Sequence, residues 1–304
     1  MTTTLRPTGP ESRPPEGGRA RAYEIRVNSR PVGTVHLSRA PEDGPALGRL
    51  RLYVEPAERR RGRGAVAALA AEEVLRGWGC TRVEASVPLT ADAEAPADAE
   101  APAGAEAPAD AEAGGERAPA GVRLLAALGY AERSSHLTKP LHARPALPTG
   151  RAIRPLADAE FDAWWEEGAA TFVAGLVEQG HSREQALARS TAVRRTHLPD
   201  GAASAGAALR VLTCEGTAVG AIWLGFTGLP RSDVHAWVYD VRVLPGRRGE
   251  GHGRALMLAA ESVCLDAGAE CLGLNVFAGN TPARRLYGSL GYRTVERHYL
   301  KTLL

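Results

Sequence analysis

The sequence predicts an α/β (α+β) protein made of two tandem domains of one kind. Three observations predict it. Strand-like and helix-like segments alternate along most of the chain. The same order of elements occurs twice. One phrase of arginine and glycine stands at the same point in each round, RRRGRGAVAAL at 59–69 and RRGEGHGRAL at 247–256.

The bulk properties set limits. The chain has 304 residues, 44% apolar and 24% charged, the profile of a folded globular protein with room for two cores. Basic and acidic side chains nearly cancel, 37 against 35, which argues against bulk electrostatic binding to nucleic acid. Cys80, Cys214, Cys264 and Cys271 form no CxxC pair and no metal-ligand spacing. No metal site is therefore expected, and scattered thiols suit a reducing cytoplasm. No apolar run approaches the ~20 residues of a membrane span.

The elements follow in order. Residues 1–20 are rich in Pro, Gly and Arg without an apolar core, so a disordered leader is expected. From Arg21, YEIRVN, VGTVHLS and GRLRLYVE read as strands, and GRGAVAALAAEEVLRGW as a helix stopped by Gly77 and Gly79. RVEASVPL at 82–89 is a further strand. A hexapeptide repeat, ADAEAP and its variants, fills 91–121. Its regular prolines prevent a continuous helix and it offers little to bury, so it reads as a low-complexity surface insertion. Packing resumes with VRLLAALGYAERSSHLTKPL, which closes a first domain at 21–141; HARPALPTG at 142–150 is a linker.

The second domain, 151–304, opens with the strand RAIRPL and two amphipathic helices at 158–178 and 182–196. Three strands, ALRVLTCEG, TAVGAIWLGF and DVHAWVYDVRVL, lead to the helix GHGRALMLAAESVCLDAG. The strand ECLGLNVF, the short helix TPARRLYGSLG and a closing strand YRTVERHYLKTL complete it. LGYAERSSHLTKPL at 128–141 parallels LGYRTVERHYLKTL at 290–303. The first round is shorter and lacks the two leading helices.

Aligned on the preceding proline, Arg59, Gly62 and Gly64 match Arg248, Gly251 and Gly253. Each phrase joins an apolar strand to a helix start. Glycine permits a tight turn, and the unpaired N–H groups and positive dipole end of a helix attract phosphates. The phrases lack the Gly-Lys-Ser/Thr ending of a nucleoside triphosphate loop and the G-x-G-x-x-G of a dinucleotide fold.

The C-terminal phrase, together with GLNVFAGNTPARRLYGSLGY, resembles the GNAT superfamily of N-acetyltransferases. That family's signatures are Gln/Arg-x-x-Gly-x-Gly/Ala after the fourth strand, and later Asn followed by Ala-x-x-x-Tyr-x-x-x-Gly-Tyr/Phe. The resemblance covers nearly all of 151–304, and 21–141 apart from the insertion. It implies two domains, each a mixed, mostly antiparallel twisted sheet flanked by helices, with acetyl-CoA as co-substrate. It implies that Arg248, Gly249, Gly251, His252, Gly253 and Arg254 hold the pyrophosphate, mainly through main-chain N–H groups. Val241 and Val243 would pair by backbone with the pantetheine arm, and Asn280 would contact that arm from across the cleft. A backbone N–H near Val243 would polarise the thioester carbonyl.

Tyr287 stands where the family places its general acid, and a phenol of pKa ~10 can protonate a leaving thiolate. Asp240 is a charge in an apolar strand, which needs a reason. It lies eight residues before Arg248, where aminoglycoside 6′-acetyltransferases of this family carry a carboxylate base. It is either a base or amine anchor, or a carboxylate paired with Arg242 or a neighbouring strand. His235 is a weaker candidate base. In the first round Leu125 replaces the tyrosine, Ala118 the asparagine and Arg51 the aspartate. That half reads as a degenerate acetyltransferase, either still binding CoA through Arg59, Gly62 and Gly64 or serving only as a packing partner.

The expected reaction is direct attack by a primary amine of a small molecule or peptide on the acetyl thioester, in the C-terminal domain. The alternatives are a non-catalytic acyl-CoA sensor and an aminoglycoside-type acetyltransferase. Trp164, Trp165, Trp223, Trp237 and Tyr239 either line the acceptor site or pack the core. Glu166, Glu167 and Glu178 either draw a cationic amine or form a solvated face. The expected assembly is a monomer with an internal pseudo-dimer, or a homodimer, without nucleic-acid or membrane partners.

Overall fold

The computed structural model describes residues 2–14, 17–41, 46–89, 118–178 and 181–303. The repeat insertion at 91–121 therefore lies outside the described residues except for its last four. Those last residues include the start of helix α2, Ala120–Ala127.

The chain divides into two compact units, one of residues 1–134 with 295–304, the other of residues 135–294. The N-terminal unit opens with strand β1, Thr3–Pro7, paired antiparallel with β2, Arg19–Val27. The leader expected to be disordered thus supplies an edge strand. Its β-branched Thr3 and Thr4 suit the extended backbone, and Leu5 packs on the core. Its proline, Pro7, sits at the strand's end, where a missing N–H is tolerated. β2, β3 (Arg30–Arg39) and β4 (Leu47–Val54) form an antiparallel meander. Asn28 and Ser29, both at positive φ (48° and 67°), make the two-residue turn between β2 and β3.

Helix α1, Arg63–Gly77, then returns the chain to β5, Arg82–Pro88, which runs parallel to β4 over Leu47–Leu50 only. The sheet is completed by β12, Arg293–Thr302, antiparallel to β5. Ile25, Val35, Leu37, Leu75 and Val83, all at 2% exposure or less, form the core between sheet and α1.

The C-terminal unit repeats the plan with strand order β6-β11-β10-β9-β8-β7. Its strands are β6 (Ala131–Pro140), β7 (Arg151–Pro155), β8 (Ala207–Cys214), β9 (Thr217–Gly225), β10 (Ala236–Val243) and β11 (Cys271–Phe277). β7 through β10 are antiparallel, and β10 and β11 are parallel. Helices α3 (Asp158–Glu178) and α4 (Arg183–His197) follow β7, the latter opened by a Ser182–Gln185 capping box. α5 (His252–Asp266) and α6 (Thr281–Ser289) flank β11 in sequence. Leu212, Ile222, Leu256, Met257, Leu272 and Leu274 are buried at the centre of this core.

The domain borders expected at 141 and 151 do not divide the molecule. Residues 135–141, the end of the first sequence round, belong to the C-terminal unit because Leu137 and Leu141 are buried in its core. Leu141 N–H also donates to Glu270 C=O at 2.8 Å. Conversely, the closing strand of the second round belongs to the N-terminal unit, where Tyr299 and Leu303 are buried. There Lys301 Nζ reaches both oxygens of Glu72, at 2.9 and 2.7 Å, and Glu72 is 1% exposed. Removing one partner of such a buried pair leaves a charge uncompensated. Lys301→Met is expected to lower the unfolding free energy by about 3–5 kcal/mol in urea titration. An unchanged midpoint would show that the pair does not hold the strand.

Candidate active site

The site begins with a strand that leaves its neighbour. β10 pairs with β11 only at Ala236–Val238. A register shift between Val238 and Asp240 then bends β10, which continues to Val243 on its β9 side alone. An extra residue in one strand of a pair does this, and it re-aims the side chains beyond it. Val241 and Val243 pack on the core under α5. Their backbones pair with Ile222 and Gly220, so the opposite edge faces the split and is free to take another extended chain.

The turn at the end of β10 leads into α5. Gly251 is the helix N-cap at φ 78°, Gly249 has φ 84°, and no side chain caps the helix. The first N–H groups of α5 are therefore available to an anion, at the positive end of the helix dipole. Gly253 packs close to α6: a Cβ there would lie 3.3 Å from the Leu286 side chain, tighter than an ordinary contact.

The side chains expected here divide into two groups. Arg248 is exposed at the turn. His252 is 2% exposed, with Nδ1 3.3 Å from Arg151 Nε and Nε2 3.1 Å from Glu250. Arg254 donates to Ser289 Oγ at 2.6 Å. His252 and Arg254 therefore offer an anion their main-chain N–H groups.

Across the split, Asn280 caps α6, its Oδ1 accepting from Ala283 N–H at 3.2 Å. Its exposed amide keeps its N–H₂ donor for another partner. Asn-Thr-Pro is a helix-start pattern, so this role was readable from sequence.

Tyr287 of α6 is 5% exposed and meets Tyr292 edge-on at 5.9 Å. Burial, with help from the charge of Asp240, pushes its phenol up to about 12. It stays protonated at neutral pH and can act as a proton donor.

Asp240 is ion-paired with Arg242 at 2.6 Å. That is the pairing held open as the alternative to a catalytic role. Arg242 is itself clamped by α3: it donates to Trp164 C=O at 2.8 Å, lies over the Trp164 ring at 5.1 Å, and approaches Glu167 at 3.6 Å. Burial pushes the Asp240 carboxyl up from the usual range, although Arg242 pulls it down. His235 accepts from Glu270 N–H at 3.2 Å, a loop contact.

On the acceptor side the aromatic residues mainly pack. Trp164 and Trp223 are buried with Phe161, and Tyr239 stacks on Trp223 at 4.8 Å. Trp237 lies against His136, centroids 5.0 Å apart. His197, absent from the sequence reading, contacts Tyr239 at 4.8 Å, and burial lowers its pKa. A cavity of about 210 Å³ lies between α3 and the sheet, lined by Glu160, Trp164, Glu167, Arg242 and Leu244 among others. Glu166 and Glu178 are exposed and do not line it.

The N-terminal unit has a comparable split, since β4 and β5 separate after Leu50 and Ala85. Gly62 caps α1 at φ 74°. The turn's chemistry differs, however. Glu58, 4% exposed, is ion-paired with the buried Arg63 and with Arg30, so a carboxylate already stands against the basic turn. Arg59 donates to Val54 C=O at 2.8 Å. Leu125, at the tyrosine's position, is buried in the core.

Comparison with known proteins bears on family and fold. The family model described as Acetyltransferase (GNAT) family matches residues 6–97 and 159–292. The mycothiol acetyltransferase of Kytococcus sedentarius is 32% identical over 147 residues, 48% of this chain and 46% of that protein. That of Pseudarthrobacter chlorophenolicus is 33% identical over 151 residues, 48% of this chain and 44% of that protein. The chain thus spans about half the length of the curated relatives it matches.

Among solved structures, the GCN5-related N-acetyltransferase from Sphaerobacter thermophilus superposes with a TM-score of 0.53 at 18% identity. That match covers 92% of this chain and 79% of that one, and it speaks to fold. A tandem GNAT protein from the clavulanic acid biosynthesis pathway aligns over 95% of this chain and 84% of its own, with a TM-score of 0.47 and 20% identity. Among the described residues no helix is long and apolar enough to cross a membrane.

Proposed function

This chain belongs to the acetyltransferase (GNAT) family, and from that membership we propose that its C-terminal unit moves an acetyl group from acetyl-CoA to a primary amine of a small molecule or peptide. One observation carries the reading: the split between β10 and β11 has an uncapped helix N-terminus at Gly251 and a buried, protonated Tyr287 that feels the charge of Asp240. In this reading the N–H groups at 252–254 hold the pyrophosphate, with Arg248 beside them. The free edge of Val241 and Val243 takes the pantetheine arm, and Asn280 meets it through its amide N–H₂. A β10 N–H near Val243 polarises the thioester carbonyl, which stabilises the charge that develops on its oxygen. Asp240 draws the ammonium of the acceptor and accepts its proton, and Tyr287 returns a proton to the departing sulfur.

The buried carboxylate of Glu58, with Leu125 and Ala118 at the positions of the acid and the asparagine, supports a non-catalytic N-terminal unit without a second acetyl-CoA site at Arg59, Gly62 and Gly64. The acceptor class is broad, and a mycothiol-related amine belongs with kanamycin, spermidine and a free peptide N-terminus in the panel that tests it. Release of CoA from acetyl-CoA with at least one of these amines, above the rate without any amine, is the expected result. Acetyl-CoA binding without turnover on any of them would favour the sensor reading.

The pH dependence has a definite sign. Asp240 works deprotonated and its carboxyl is raised by burial, so kcat/KM climbs with pH through a value above the ordinary ~4. Tyr287 works protonated and is raised to about 12, so it causes no falling limb near neutrality. Asp240→Asn is expected to remove the acidic limb and to lower kcat/KM by about 10²-fold. An unchanged profile would assign Asp240 to its ion pair with Arg242 alone.

A further inference from the structure

The C-terminal unit contains a strand end that the second sequence round does not encode. Residues 135–140 of β6 come from the first round and lie beside β11. From there Lys139 Nζ reaches both carboxylate oxygens of Glu261, at 2.7 and 2.8 Å. Glu261 is on α5, 2% exposed, ten residues after the cap Gly251. The same ammonium lies 5.6 Å over the ring of Tyr292, whose phenol is raised by burial and by Glu261. Tyr292 in turn donates its N–H to Tyr287 C=O at 3.0 Å and packs edge-on against the Tyr287 ring.

The N-terminal unit holds the matching set. Lys301 of the second round reaches Glu72, ten residues after Gly62, and lies 5.4 Å over the Tyr130 ring. Each lysine stands nine residues after the tyrosine of its own round, yet serves the glutamate and tyrosine of the other. A buried ion pair of this kind costs desolvation and is weak evidence for stability alone. Its recurrence at equivalent positions points to a task of register, because the pair forms only when the exchanged strand is fully seated.

We propose that the first sequence round completes the acetyl-transfer unit by donating residues 135–141, with Lys139 as the positioning residue that fixes Tyr292 and, through it, Tyr287. The proposal rests on the reading of Tyr287 as proton donor. It gives the round without catalytic residues a part in the reaction that needs no second acetyl-CoA site.

Two measurements on the full chain test it. A protease site placed at the exposed Ala146 of the linker is cut after folding. The two fragments are expected to stay together in gel filtration without denaturant, since each carries the strand the other's unit requires. Separation of the fragments would overturn the exchange whatever the chemistry of the site.

The second measurement compares two double variants that replace each ion pair by apolar groups, a change that tends to preserve folding. CoA release from acetyl-CoA is followed with spermidine, or with water as the acceptor. Lys139→Met with Glu261→Met is expected to lower kcat about tenfold or more while KM for acetyl-CoA holds, as a displaced catalytic group does. Lys301→Met with Glu72→Met is expected to leave kcat within about twofold, an effect of the size left by a distant, independent site. Equal effects of the two, or none from the first, would make the Lys139 pair structural only. A full rate in Tyr287→Phe would instead remove the reading beneath it, while leaving the fragment result standing.

Discussion

Tyr287→Phe is expected to lower kcat by about 10²- to 10⁴-fold, the usual worth of a placed general acid, with little change in KM for acetyl-CoA. The phenol is 5% exposed and its pKa lies at about 12, so at neutral pH it holds the proton that a departing thiolate needs. Phenylalanine keeps the ring that packs in the C-terminal core and against Tyr292. The variant should therefore fold and bind as the parent does. Stopped and steady-state assays of CoA release would separate the two constants, and a retained kcat would exclude the tyrosine as acid.

Gly251→Glu is expected to weaken acetyl-CoA binding by about 100-fold, or ~2.7 kcal/mol. Gly251 adopts φ 78°, where an L side chain adds about 1–2 kcal/mol of strain. The new carboxylate also stands at the helix N-terminus, on ground that the phosphates require. A carboxylate there favours the helix itself, so loss of binding would not reflect loss of fold. Gly62→Glu, at the matching φ of 74°, is expected to leave acetyl-CoA affinity unchanged, because Glu58 already stands at that turn.

The order of elements was legible because hydrophobic period, glycine stops and the repeated phrase all agreed. The helices at 158–178 and 182–196 and the strands flanking the Arg/Gly turn lie where periodicity put them. The leader reads as disordered because its prolines and glycines outweigh five residues, TTLRP, whose pairing depends on β2 and not on local preference. The strand exchange left no local trace. LGYAERSSHLTKPL and LGYRTVERHYLKTL are extended segments of the same pattern, and nothing within either says which sheet receives it.

At the site, the residue types were readable and their partners were not. Asp240 and Arg242 were visible as a possible pair, but the register shift that aims both toward α3 comes from pairing with β9. Glu261 carries the same sequence signal as Asp240. A carboxylate inside ALMLAAESVCL needs a partner, and its lysine is 122 residues away.

Calorimetric titration of acetyl-CoA into the intact chain distinguishes one working unit from two. A single site per chain is expected, one that Gly251→Glu weakens about 100-fold and Gly62→Glu spares. Two equivalent sites would contradict the assignment of one working unit, and no binding at all would contradict the acetyl-transfer reading.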